Sequence, residues 1–215
     1  MVDAIHYLAA CKVFVTEAKE ILDLCRDAER KPMVIPGLLQ TRRYARMWIE
    51  RSPGLSQEDI DAAVRLREDR QQILHQPRPG RFIFFMHEQA LRFQIGTKAT
   101  MHEQLLKLVL LAALPHVSVR VLPALAGERA LVGGPFQLFE YREHQPLVYL
   151  DHACSGAFLE DQEFVAGYQQ LLSRIRSVAL DEAKSRAFMA ELADALDQRS
   201  TRRDAGIYEV EEEQL

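Results

Sequence analysis

Leu8, Cys11, Val15, Ala18, Leu22 and Cys25 recur at steps of three and four residues, the spacing that stacks apolar side chains along one face of a helix. The pattern predicts a helix over 4–30, closed by Pro32. Pro36-Gly37 is a turn signal, and Leu38, Leu39, Tyr44 and Trp48 share an apolar stripe on the helix that follows. Ser52-Pro53-Gly54 ends that helix. Ser56 opens the next one, with Glu58 and Asp59 placing negative charge at its positive end. This third helix runs to about His75 with Ile60, Val64, Leu66, Ile73 and Leu74 as its apolar positions. Its Arg65, Arg67 and Arg70 alternate with Glu68 and Asp69, as on a solvated, ion-paired face.

Gln76-Pro77-Arg78-Pro79-Gly80 interrupts the helical pattern, and Arg81–His87 (RFIFFMH) then reads as a buried strand. A short helix over 88–95 ends at Gly96. A longer one over 100–114 carries Met101, Leu105, Leu108 and Ala112 on one side and stops at Pro115. Val117–Leu122 alternates as a strand, with Arg120 opposite to Val119 and Val121. A loop with Gly127, Gly133 and Gly134 leads to strands over 136–141 and 147–151, joined by a turn. Amphipathic helices follow over 158–178 and 180–196.

Strand, helix and returning strand predict a parallel pair, and the last three strands an antiparallel meander. The fold class is therefore α/β of the α+β type, a mixed sheet of about four strands flanked by N-terminal and C-terminal helices. Residues 1–80 form the helical part of the domain, 81–198 its strand-and-helix core, and 199–215 a flexible tail.

Composition narrows the function classes. A hydrophobic fraction of 48% in 215 residues supplies a sizeable core. Lys and Arg number 27 against 31 Asp and Glu, which gives no global attraction to nucleic-acid phosphates. Cys11, Cys25 and Cys154 form neither a disulfide framework nor a four-ligand zinc set, and fit a reducing cytoplasm. Asp3, His6 and Lys12 break the apolar N-terminus, so no signal peptide is expected, and no apolar run is long enough to cross a bilayer.

Three constellations carry candidate chemistry. Gln40, Thr41 and Tyr44, beside Leu38 and Leu39, can line a ligand pocket, or form a tight turn that caps the next helix. Arg67 and Arg70, three apart on one helix face, can grip a carboxylate or phosphate together with Glu88 and Arg92. The alternative is an internal salt bridge from Glu88. His87-Glu88, His102-Glu103 and Asp151-His152 near Cys154 lie at predicted element ends, where acid–base or nucleophilic work can be placed. HExxH, GxSxG, P-loop and dinucleotide fingerprints are absent, and Gly133-Gly134 suits a hairpin or bulge. No cofactor and no metal is expected.

The segments VIPGLLQTRRYAR, RLREDRQQIL, HEQALRFQIG, MHEQLLKL, VSVRVLP and GGPFQLFEY occur in that order. Together they resemble the domain of uncharacterised function that follows an Xre-type helix-turn-helix in regulators of filamentous, antibiotic-producing bacteria. The resemblance rests on Pro36–Thr41 with Tyr44 and Ala45, on Arg67, Arg70, Gln71 and Leu74, on Glu88, Leu91, Arg92 and Gly96, and on Gln104 and Leu105. Too few residues precede it for three DNA-binding helices. The expectation is either a truncated regulator or a standalone relative, without direct nucleic-acid binding. A tyrosine-then-glutamate pattern of the family reads Tyr149-Leu150-Asp151 here.

The resemblance implies a cytoplasmic effector- or partner-binding domain in transcriptional control of development or secondary metabolism. Its ligand would be a small molecule or a small partner protein. Apolar positions on the last two predicted helices suit a homodimer, and equally suit packing onto the sheet. The alternative is a standalone biosynthetic enzyme on the same scaffold, with His87, Glu88 and His152 as acid–base residues.

Overall fold

The computed structural model describes residues 34–77, 80–126, 135–141, 144–151 and 156–212, with 151 and 198–212 as backbone only. The predicted helix over 4–30, all three cysteines, His152 and the Gly133-Gly134 pair lie outside the described residues.

Side-chain caps set the first helices. Pro36 leads into a single 3-10 turn over Gly37–Leu39. Thr41 Oγ1 then accepts the Tyr44 N–H at 3.1 Å and starts helix α1 (Arg42–Ile49). Gly54, at φ 83°, supplies the left-handed residue that reverses the chain. Helix α2 (Gln57–Gln71) opens with a reciprocal capping box. Ser56 Oγ accepts from Asp59 N, and the Asp59 carboxylate accepts from Ser56 N, both at 3.1 Å. A 3-10 turn over Gln72–His75 completes α2 and buries Leu74.

Strands β1 (Phe82–His87) and β2 (Val117–Leu122) run parallel, with Phe82 opposite Val117 and His87 opposite Leu122. The crossover between them consists of the short helix α3 (Glu88–Arg92) and helix α4 (Lys98–Leu111). Parallel strands require such a connection. Gly96, at φ 70°, turns the chain between the two helices, and Thr97 caps α4 by accepting from Thr100 N. Phe82, Phe84 and Met86 join Val117, Val119 and Val121 on the inner face of the pair. They pack against Met101, Leu105 and Leu108 of α4, predicted on its apolar side, and against Leu111. Leu105 and Leu108 are fully buried, each contributing about 1.5–3 kcal/mol.

Strands β3 (Phe136–Phe139), β4 (Leu147–Asp151) and β5 (Gly156–Leu159) form an antiparallel meander. Helices α5 (Gln162–Val178) and α6 (Glu182–Glu212) follow. The chain is thus α+β as expected, but the expected single mixed sheet is two separate sheets. The reason lies at the outer edge of β2. Leu180 N donates to Val121 O at 2.9 Å, and Ser185 Oγ accepts from Val121 N at 3.0 Å. Leu180, between α5 and α6, and Ser185, in the first turn of α6, therefore occupy ladder positions at Val121 that a third strand would need.

A second correction concerns Phe158, which sits in β5 and not in a helix. Asp161 accepts from Glu163 N at 2.8 Å and fixes the start of α5 at Gln162. Helix α6 packs on α4 through Met189 and Ala193, both fully buried. As backbone it continues to Glu212, past residue 199, where the sequence places a flexible tail.

Candidate functional site

Hydrogen bonds from α2 and α4 meet at the turn over Pro36–Thr41. Gln40 and Thr41 are 2% and 5% exposed. Gln40 Nε2 donates to Ile35 O at 2.6 Å, and its Oε1 accepts from Arg67 at 2.7 Å. From α2, Gln71 Nε2 donates to the carbonyls of Gly37 (3.0 Å) and Gln40 (2.8 Å). From α4, Gln104 donates to Leu39 O at 2.8 Å and accepts from Thr41 N at 2.7 Å. Lys107 Nζ reaches both Gln40 O and Gln71 Oε1 at 2.7 Å. Burial away from water holds its ammonium below the usual lysine range. The Tyr44 hydroxyl accepts from Ile35 N at 3.3 Å, and burial pushes its pKa up to about 12.

These bonds form a latch that ties two distant helices to one turn. Buried amides and carbonyls that would each cost about 1–3 kcal/mol if orphaned are paired. Of the two sequence readings of Gln40, Thr41 and Tyr44, the geometry matches the capped turn, since their polar atoms are engaged by the protein itself.

Arg67 belongs to this latch, whereas Arg70 lies on the exposed face of α2. The arginine paired with Glu88 is Arg92, one helical turn away at 2.7 Å. The other Glu88 oxygen accepts from Ala124 N at 2.9 Å, which binds the loop after β2 to the end of β1. That backbone bond, and then the bond from Arg92, keep the Glu88 carboxyl below the usual carboxylate range. Arg92 also lies over the Phe188 ring of α6, 5.2 Å from its centroid. His87 Nδ1 accepts from Gln89 N at 3.2 Å and caps α3. His87 and Glu88 thus stand at the end of β1 as expected, with His87 Nδ1 given to capping and the Glu88 carboxylate to Arg92 and loop fixation.

A different region forms an open concavity. The outer face of the β1–β2 pair presents Ile83 and Phe85 beside Ser118 and Arg120. Arg120 is held rigidly, donating to Leu180 O (2.8 Å), Ala179 O (3.0 Å) and Arg176 O (3.3 Å). Its guanidinium also rests 5.5 Å from the centre of the Phe85 ring. Two adjoining hollows of about 260 and 230 Å³ share Arg81, Ser118 and Glu182. Arg186 and His116 line the first, and Arg120 and Arg176 the second. His116 Nε2 is engaged with Leu74 O at 2.8 Å.

The Ser118 hydroxyl stands out because it is buried without a hydrogen-bond partner, and no other buried side-chain polar atom among the described residues is in that state. Sequence reasoning missed this cleft. Its arginines lie on β2, in the residue before β1 and on two helices, so no local spacing joins them. The one legible signal was Arg120, set opposite to Val119 and Val121.

Among the described residues no three His, Cys, Asp or Glu side chains group to hold a metal, and no helix is long and apolar enough to cross a membrane. The fold and the latch define a small α+β domain organised around one locked turn. The chain belongs to the family described as a domain of unknown function, DUF5753, whose model matches residues 28–191. No curated protein and no solved structure matches the chain. The matched span contains the whole latch and the cleft.

Proposed function

We propose that this chain is the effector-binding part of a bacterial transcriptional regulator of the Xre type, a non-enzymatic domain that takes a small molecule in the arginine-lined cleft. The observation that carries this reading is the unpaired, buried hydroxyl of Ser118, a residue that borders two hollows also lined by Arg81, Arg120, Arg176 and Arg186. Concave sites with a few convergent polar groups are where small ligands bind. The ordered segments from Pro36 to Tyr141 supply the link to regulators, through their resemblance to the domain after an Xre-type helix-turn-helix. Family-level likeness of this kind supports ancestry more than mechanism.

The enzyme alternative needs His87 and Glu88 free to exchange protons. Their engagement with Gln89 N, Arg92 and Ala124 N favours the binding reading. A second binding mode, to a small protein, is favoured by Leu106 and Leu110, one turn apart on α4 and 43% and 72% exposed.

Calorimetric titration of the chain with a metabolite set, and with any small protein that a neighbouring gene encodes, tests the proposal. Saturable binding without turnover is expected. Turnover of any of those metabolites that falls in His87→Ala or Glu88→Ala would replace it with the enzyme reading.

A further inference from the structure

We infer that the cleft on the outer face of the β1–β2 pair binds a compact oxyanion, the carboxylate or phosphate group of a metabolite, between Arg81, Arg176 and Arg186, with Ser118 Oγ donating to it. This deepens the effector-binding reading and rests on it.

Charge makes the first part of the case. Arg81, Arg120, Arg176 and Arg186 line the two hollows, against Glu182 as the lone carboxylate there. Arg120 is fixed by its three carbonyl partners and the Phe85 ring, so it acts as a permanent positive wall. Arg81, Arg176 and Arg186 are exposed, and no described residue gives their guanidinium groups an ion pair. Guanidinium groups brought together repel one another until an anion arrives, and their forked donors match carboxylate and phosphate oxygens.

Ser118 makes the second part. It is 6% exposed and borders both hollows, and its hydroxyl, closed off from solvent, lacks a partner. A buried donor left unmatched destabilises the free protein and rewards a ligand that accepts from it. An oxyanion held by the flanking arginines would supply that acceptor once the hydroxyl rotates about χ1 towards the hollows. Size makes the third part. At about 260 and 230 Å³ the hollows fall below the roughly 300–1,000 Å³ of pockets for drug-sized ligands. They suit a single acid group or a compact diacid. Glu182, which borders both hollows, opposes a bare anion and favours a ligand bearing a donor beside its acid group.

Calorimetry of the full chain with sodium phosphate and, separately, sodium succinate, at ionic strength held constant with sodium chloride, distinguishes phosphate from carboxylate sources. Saturable binding of at least one is expected, weakened about tenfold by Arg81→Ala, Arg186→Ala or Ser118→Ala. Arg43→Ala, on the exposed face of α1, should leave it unchanged. Ser118→Ala should also raise the melting temperature of the ligand-free protein, because it removes an unpaired donor while weakening binding. A purely structural serine would not move the two readouts in opposite directions. Glu182→Gln should tighten phosphate.

Binding no greater than the chloride control, or equal loss in Arg43→Ala, would overturn the assignment. If the cleft variants bind a metabolite or a small partner protein as tightly as the wild-type chain does, the cleft assignment falls and the binding-domain reading stands.

Discussion

The side-chain carbonyl of Gln104 accepts the backbone N–H of Thr41 at 2.7 Å, across 63 residues of sequence. The same amide donates to Leu39 O, so one fully buried side chain completes both halves of the turn. Gln104→Leu keeps the volume but orphans one donor and one acceptor out of reach of water. It should cost about 2–4 kcal/mol in denaturant unfolding. Lys107→Met should cost less than about 1.5 kcal/mol, since Gln40 O retains the Gln71 donor and a half-buried charge is removed. Equal losses in the two variants would contradict the latch.

The Tyr44 hydroxyl carries a folded-state pKa of about 12 against the ordinary 10.0. Its contribution is fully present below pH 10 and declines as pH rises towards 12, because the unfolded chain ionises first. The total is about 2–3 kcal/mol from two pKa units. Lys107 works the other way in the alkaline range, since its depressed folded-state pKa favours folding as pH rises towards 10.5. The difference between wild type and Tyr44→Phe isolates the tyrosine. Stability measured across this range should fall more steeply in wild type, and parallel profiles would remove Tyr44 from the account.

Gly96→Ala and Gly54→Ala should separate backbone strain from crowding. Both glycines have positive φ, a conformation that costs an alanine about 1 kcal/mol. A Cβ on Gly54 meets open space. On Gly96 it would lie 3.0 Å from Met47 Cγ and 3.2 Å from Thr100 Oγ1, and the latter is held by Thr97. Gly96→Ala should therefore lose about 2–3 kcal/mol and Gly54→Ala about 1. Thermal or denaturant unfolding of the two variants reads the difference directly.

Much of the fold was legible in local pattern. The Ser56–Asp59 capping box, the apolar spacing of Met101, Leu105 and Leu108, and the alternation of Val117, Val119 and Val121 each act within one element. They therefore mark the sequence directly. Of the candidate site, the residue types were legible but their partners were not. Pro36-Gly37 marks the turn that holds Gln40 and Thr41, yet Gln71, Gln104 and Lys107, which lock it, come from helices 31 to 67 residues away. Arg67 and Arg70 were paired by helical spacing, and tertiary packing sent Arg67 to Gln40 while Arg92 took Glu88.

Sequence alone thus determined the caps, the periods, the α+β class and the turn at Pro36–Thr41, because each depends on neighbours within a few residues. Only the tertiary structure decided that the strands split into two sheets, since that depends on Leu180 and Ser185 reaching Val121 from the far end of the chain. It also decided that Ser118 is buried without a partner beside hollows lined by arginines from separate elements. Pairing and burial are properties of the assembled fold, and no local spacing encodes them.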